Sequence, residues 1–155
     1  MTSPITTLSD EYQRITALVA LMQQEQQCLV SADSDGLAAV TAKKSTLVQQ
    51  MAALAARRHQ ALGSAGFAAS EAGMDAWLDS GIDAAAPPLW RALLERTREA
   101  KELNRVNGML INKQMTHTQV VLNAMRTPAG GAAAGFYGPS GQTTFGGPSR
   151  RYVVG

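Results

Sequence analysis

Apolar residues recur at alternating spacings of three and four along most of this chain, which is the spacing of one face of an α-helix. Three such rows predict helices over residues 8–31, 37–62 and 89–125, and a shorter helix is predicted around Met74 and Trp77. Because a short polar segment joins the first two rows, consecutive helices should lie antiparallel and side by side. The pattern predicts an all-α fold, an elongated antiparallel three-helix bundle or coiled coil with a short connector helix and a flexible C-terminal tail.

The first row starts where Thr7 or Ser9 can cap a helix. It contains Leu8, Tyr12, Ile15, Val19, Met22 and Leu29, with Gln26 in the same row. The polar residues 33–36 should end this helix and cap the next one. In the second row, Lys44 and Arg58 occupy two positions among leucines. We expect their stems to lie on apolar neighbours and their charged groups to stay in water.

Four acids in the connector are spaced four apart, so they would form one face of a helix: Glu71, Asp75, Asp79 and Asp83. We expect this face to lie near Arg57, Arg58 or the basic residues of the third helix. The alternative is a solvated face without such contacts, since exposed ion pairs contribute only about 0–1 kcal/mol.

The third row, opened by Pro87-Pro88, is longer than the other two. At about 1.5 Å per residue its helix would extend roughly 15 Å beyond its neighbours if all three began level. The unpaired part would run from about Met115 to Met125. An exposed apolar stripe of this kind usually marks a binding surface, and methionine adapts to different partners.

Asn104, Asn107 and Gly108 interrupt this row. Asn-Gly is typical of a turn, but the apolar spacing continues on both sides, so we predict an unbroken helix. Two interpretations of the asparagines stay open. They can fix the register of neighbouring helices at some cost in stability, or they can offer hydrogen bonds to a partner helix that approaches closely at the glycine.

After Thr127-Pro128 the sequence becomes rich in Gly and Pro and lacks the apolar residues needed to fold alone. We therefore predict a helical domain over residues 1–127 and a flexible tail over residues 128–155. Tyr137 is followed by Gly138-Pro139, which favour a turn that would present its ring. Such a segment could order on a partner.

Composition narrows the function classes. A net charge of +2, without a basic stripe interleaved with aromatic residues, argues against a nucleic-acid surface. The single Cys28 cannot form an internal disulfide, the N-terminus lacks a signal-peptide pattern, and no apolar run reaches the length of a membrane span. His59 and His117 lack catalytic or metal-binding neighbours. We expect a soluble cytoplasmic protein that is not an enzyme and needs no metal or other cofactor.

Several motifs occur together in this chain: the leucine-rich first helix, the second helix with Lys44, Leu47, Leu54 and Arg58, then Trp77-Leu78, Leu89-Trp90, Leu103-Asn104, the run from Asn107 to Ile111, and Tyr137-Gly138 with Gly141. In combination they resemble the FlgN family of flagellar type III export chaperones. The resemblance covers nearly the whole chain.

The resemblance implies a cytoplasmic chaperone that holds the C-terminal helices of hook-associated proteins and delivers them to the cytoplasmic domain of the membrane export gate. It implies gate contact at Tyr137. It implies client contact at Asn104, Asn107, Gly108, Leu110, Ile111, Met115, Val121 and Leu122. The alternatives are a structural coiled-coil scaffold and an exported axial component of the flagellum, and the sequence leaves weak self-association open.

Overall fold

The structure is a computed structural model that describes residues 2–126 and the backbone of residues 136–137 and 143–144. Within residues 2–126, four helices follow one another: α1 Ile5–Ser31, α2 Ser34–Ser64, α3 Glu71–Asp79 and α4 Ala86–Arg126. The all-α class and the short connector helix are therefore confirmed. Two short strands, β1 Phe136–Tyr137 and β2 Thr143–Thr144, pair antiparallel, with Phe136 opposite Thr144.

The chain divides into two compact units, Met1–Gln114 and Met115–Gly155. The first unit holds α1, α2, α3 and α4 up to Gln114. The second holds the rest of α4 and the β1–β2 pair. The predicted boundary at residue 127 and the predicted flexible tail lie outside the described residues, apart from the two strands.

The segment between α1 and α2 caps both helices, but it is shorter than predicted, since residues 34–36 already belong to α2. Ala32 adopts the left-handed conformation (φ 55°) and its N–H donates to the carbonyl of Cys28, which closes α1. The Asp33 carboxylate then accepts a hydrogen bond of 3.0 Å from the N–H of Gly36. This bond satisfies one free donor at the start of α2, so the predicted cap of the second helix is confirmed.

The predicted start of the first helix is wrong. Helix α1 begins at Ile5, with Pro4 at the cap position and no side-chain cap. Proline has a fixed φ that suits the first turn of a helix. The Thr7 hydroxyl lies inside the helix, where it donates a 2.8 Å hydrogen bond to Oε1 of Glu11.

One hydrophobic core joins all four helices within the first unit. Its buried members are Leu8, Ile15, Leu18, Val19 and Met22 of α1, Leu62 of α2, Met74 and Trp77 of α3, and Ala86, Trp90, Leu93 and Ala100 of α4. Two buried side chains thus attach the short helix α3 to the core. Gly73 permits this position, because a Cβ there would overlap the backbone carbonyl of Ala68.

Contacts at two positions along each helix pair show the relative directions of the helices. Glu11 contacts Arg58 while Glu25 contacts Lys44, so α1 and α2 run in opposite directions. Along α4, Asn107 bonds to Met22 and Glu25, and Gln114 bonds to the carbonyl of Leu29. Helices α1 and α4 therefore run in the same direction. The elongated form of the predicted three-helix bundle stays a prediction.

Candidate functional site

The end of α4 exposes large apolar side chains. Within the second unit, Met115 is 66% exposed and Met125 is 79% exposed, and Val121 and Leu122 each expose more than two fifths of their surface. At 100° per residue these four positions fall on one side of the helix. We call them the distal stripe. Val120, also exposed, lies on another side of the same helix.

The distal stripe has the composition of a contact surface for another apolar element. Burying side chains of this kind contributes about 25 cal/mol per Å² of apolar area removed from water. Its two methionines have three rotatable side-chain bonds each, so they can adapt to different shapes. Contiguous exposed apolar residues on a helix therefore favour a binding role over a purely structural one.

Four other predicted site residues lie on α4 in the first unit, at or near the surface. Asn104 is exposed and its Oδ1 accepts a 3.1 Å hydrogen bond from Nζ of Lys44. Gly108 is half-buried, and a Cβ placed there would meet no atom within 4 Å. Leu110 is half-buried, whereas Ile111 is 37% exposed. The helix continues through Asn107-Gly108 without a turn, as predicted.

Asn107 is placed differently from the other predicted residues. It is only 1% exposed. Its Nδ2 donates two hydrogen bonds of 2.8 Å, one to the carbonyl of Met22 and one to Oε1 of Glu25. An asparagine held in this way fixes the position of α4 along α1. This agrees with the first interpretation of the asparagines given above, in which they fix the register of neighbouring helices.

Glu25 connects three helices. Its carboxylate accepts from Asn107 of α4 and from Nζ of Lys44 of α2, which lies 3.3 Å away. The same ammonium group donates to Asn104. We call Glu25, Lys44, Asn104 and Asn107 the Glu25 cluster. A buried carboxylate is costly without partners. The Glu25 cluster therefore favours one axial position and one rotation of the three helices relative to each other.

A second polar cluster surrounds Arg58, whose side chain is 3% exposed. Its Nε lies 3.0 Å from Oε1 of Glu11, and its Nη2 lies 2.8 Å from Oε1 of Glu71. The guanidinium carbon lies 4.7 Å from the ring centre of Trp90. The expectation that the charged group of Arg58 stays in water is therefore wrong, since two carboxylates and an aromatic face replace the water. We call Glu11, Arg58, Glu71 and Trp90 the Arg58 cluster.

These contacts shift two pKa values. Burial would lower the pKa of Arg58, but the hydrogen bonds and charges of Glu71 and Glu11 outweigh burial and raise it. Burial would raise the pKa of Glu71, but hydrogen bonds from Arg58 and His59 outweigh burial and lower it. The expectation that a connector acid lies near Arg58 is confirmed for Glu71, which marks the first turn of α3.

Sequence reasoning missed Glu11 and Glu25 as buried residues. The buried row of α1 contains Leu8, Glu11, Ile15, Leu18, Met22, Glu25 and Leu29, whereas the half-buried Tyr12 and Gln26 lie beside it. A signal was present. Glu11 and Glu25 are separated by the same number of residues as Lys44 and Arg58. In two antiparallel helices, equal spacings of acids and bases allow two simultaneous ion pairs.

An open cleft of about 600 Å³ lies beside the Arg58 cluster, lined by residues of all four helices that include Met51, Asp75 and Leu94. Among the described residues, no group of three His, Cys, Asp or Glu side chains is placed to hold a metal ion. None of the described helices combines the length and the hydropathy required to cross a bilayer. The backbone of Tyr137 pairs with Thr143, but its side chain lies outside the described residues.

These observations define an all-α protein with a core fixed by polar clusters and an apolar helix face open to solvent. The family model described as FlgN protein matches residues 1–144. The chain belongs to the FlgN family, and this membership gives it a general role as a flagellar export chaperone. No curated protein and no solved structure matches the chain.

Proposed function

We propose that this protein is a cytoplasmic chaperone that holds the C-terminal helical segments of hook-associated proteins and delivers them to the cytoplasmic domain of the export gate. The observation that carries the proposal is the distal stripe of α4, four large apolar side chains exposed on one side of a helix. A client segment that is itself an amphipathic helix can cover such a face with its own apolar side.

The residues proposed to contact the client differ in how much apolar surface they expose. Met115, Val121 and Leu122 belong to the distal stripe, and Ile111 also exposes apolar surface. Gly108 leaves open space where a side chain would otherwise stand, which suits close approach of another helix. Leu110 and Asn104 contribute less apolar surface or already have a partner. We assign Asn107 to register within the first unit rather than to client contact, because its side chain is buried.

The proposal is tested by placing charge on the apolar face. The double variant Ile111→Asp/Leu122→Asp should lose co-purification of C-terminal fragments of hook-associated proteins by at least tenfold, because a client face would bury two unpaired carboxylates. Both positions are exposed in the free protein, so helicity measured by circular dichroism should be unchanged. Retained binding would contradict the proposal.

A matched control separates this effect from a general response to added charge. Val48 and Ile82 are exposed apolar residues elsewhere, 48% and 67% exposed. The variant Val48→Asp/Ile82→Asp carries the same added charge and should bind clients as the unchanged protein does. Equal loss in both variants would point to nonspecific association. Loss of a homodimer in the first variant alone would favour the coiled-coil scaffold.

Delivery of the client to the export gate is assigned to Tyr137, the second contact predicted from the sequence. We propose that Tyr137 meets the export gate, so Tyr137→Ala should leave client binding unchanged and reduce secretion of hook-associated proteins by cells that carry it. Tyr137→Phe is the conservative control, since it keeps the ring and removes only the hydroxyl. A loss of client binding in Tyr137→Ala would contradict the division of the two contacts.

A further inference from the structure

Charge is divided unevenly along this chain. Residues 1–102 contain twelve acidic and nine basic side chains, a net charge of −3. Residues 103–155 contain five basic side chains and no acidic one, a net charge of +5. The change falls within α4, whose last acid is Glu102. The distal stripe therefore belongs to a part of the sequence in which every ionised side chain is positive at neutral pH.

The basic residues of this part of α4 have different partners. Arg105 is paired with Glu102 at 2.6 Å, so its charge is largely compensated. Lys113 and Arg126 are both exposed. Arg126 follows Leu122 by four residues, which makes the two side chains neighbours on the helix surface. Lys113 belongs to the first unit, whereas Arg126 belongs to the same unit as the distal stripe.

We propose that the helix that docks on the distal stripe is acidic, with Asp or Glu residues flanking its apolar face. This inference rests on the proposed function and adds the chemistry of the partner. When an amphipathic helix buries its apolar side on the stripe, its flanking side chains come close to Arg126. Acidic flanks gain attraction there and meet no carboxylate from α4, whereas basic flanks are repelled.

The same charges disfavour a second copy of this chain as the occupant. A symmetric dimer through the distal stripe would bring the Arg126 side chains of both copies to one interface, with no carboxylate from this part of α4 to compensate them. Like charges across an interface lower affinity and suppress wrong partners. An acidic partner removes this repulsion, so the charge pattern selects a different protein over self-association.

The test uses the full chain and three synthetic helical peptides with one shared apolar face, flanked by Glu, Gln or Lys. Fluorescence anisotropy gives their dissociation constants at low and high salt. We expect the Glu peptide to bind about fivefold more tightly than the Gln peptide at low salt, because an exposed ion pair with Arg126 contributes up to about 1 kcal/mol. The Lys peptide should bind most weakly. The difference should shrink at high salt, where screening is stronger.

Charge reversal on the protein provides the decisive variants. Arg126→Glu should invert the order, so that the Lys peptide binds most tightly. Arg98→Glu makes the same change in net charge at an exposed position in the first unit and should leave the order unchanged. Inversion by both variants would show that total charge alone matters and would overturn the inference.

The remaining outcomes separate this inference from the proposed function. Equal binding of the three peptides would overturn the acidic preference and leave an apolar client surface standing. If the peptides fail to bind while a client fragment is still held, the inference alone is overturned. If neither peptides nor client fragments bind, the proposed function fails as well. A stable dimer that excludes the peptides would assign the stripe to a second copy.

Discussion

The two ends of α4 have the same spacing of apolar residues and opposite surroundings. Near its start, Trp90, Leu93 and Ala100 are buried in the shared core. At its other end, Met115, Leu122 and Met125 face solvent. An apolar row therefore identifies the side of a helix that can be buried in a contact, but not the element that covers that side. In this chain the covered end builds the fold, and the open end is the surface to which we assign client binding.

The polar residues of α4 repeat this contrast. Asn107 is buried and bonded to α1, whereas Asn104, three residues earlier, is exposed. Charged pairs differ in the same way, since Arg58 is buried between two carboxylates and Arg105 is paired with Glu102 at the surface. The following predictions use these matched pairs to separate residues that hold the fold from residues that do not.

The largest effect should come from the Arg58 cluster. Arg58→Met keeps the stem but leaves the buried Glu11 carboxylate without its cation, which should lower the free energy of unfolding by about 3–5 kcal/mol. The matched variant Arg105→Met breaks an exposed pair and should lower the free energy of unfolding far less than Arg58→Met does. Urea unfolding followed by circular dichroism measures both values.

A compensating variant tests the reason for that loss. Glu11→Gln combined with Arg58→Met removes both buried charges, so it should recover part of the stability lost by Arg58→Met alone. If Glu11→Gln instead lowers the stability of the Arg58→Met protein by as much as an independent second substitution would, the unpaired carboxylate is not the cause of the loss.

A smaller effect is expected from the asparagine pair. Asn107→Ala removes two hydrogen bonds to α1 and leaves the carbonyl of Met22 with one partner fewer, which should cost about 1–3 kcal/mol. Asn104→Ala should change stability by less than about 0.5 kcal/mol, as exposed positions usually do. Thermal unfolding of the two variants checks this order, and equal losses would contradict the register role of Asn107.

The smallest effect concerns pH. Arg58 and His59 hold the pKa of Glu71 below its ordinary value of 4.5. A lowered pKa in the folded state means that the ionised carboxylate contributes stability above pH 4.5, and that this contribution is lost as the pH falls through the lowered pKa. Since the Glu71 side chain is 60% exposed, the effect should stay below about 1 kcal/mol. Glu71→Gln should therefore show a slightly smaller loss of stability between neutral pH and pH 4 than the unchanged protein. Identical pH profiles would contradict the contribution of Glu71.

Much of the local structure could be read from the residues. The spacing of apolar positions predicted the helices, the polar residues 33–36 predicted a cap for α2, and Pro87-Pro88 predicted the start of α4. Each of these features depends on neighbours within about four residues, so no distant contact is needed to specify it. The charged residues were harder to place. Arg58 was expected in water, and Glu11 and Glu25 were not expected in the buried row at all.

The sequence by itself determined the all-α fold class, the sides of the helices that carry apolar residues, and membership in the FlgN family. Only the tertiary structure decided which parts of those sides are covered. It also decided that Glu11 meets Arg58, that Glu25 meets Lys44 and Asn107, and that Asn104 stays at the surface. The reason is physical: periodicity records the direction of a side chain around its own helix, whereas burial and ion pairing depend on which residue of another helix arrives opposite it.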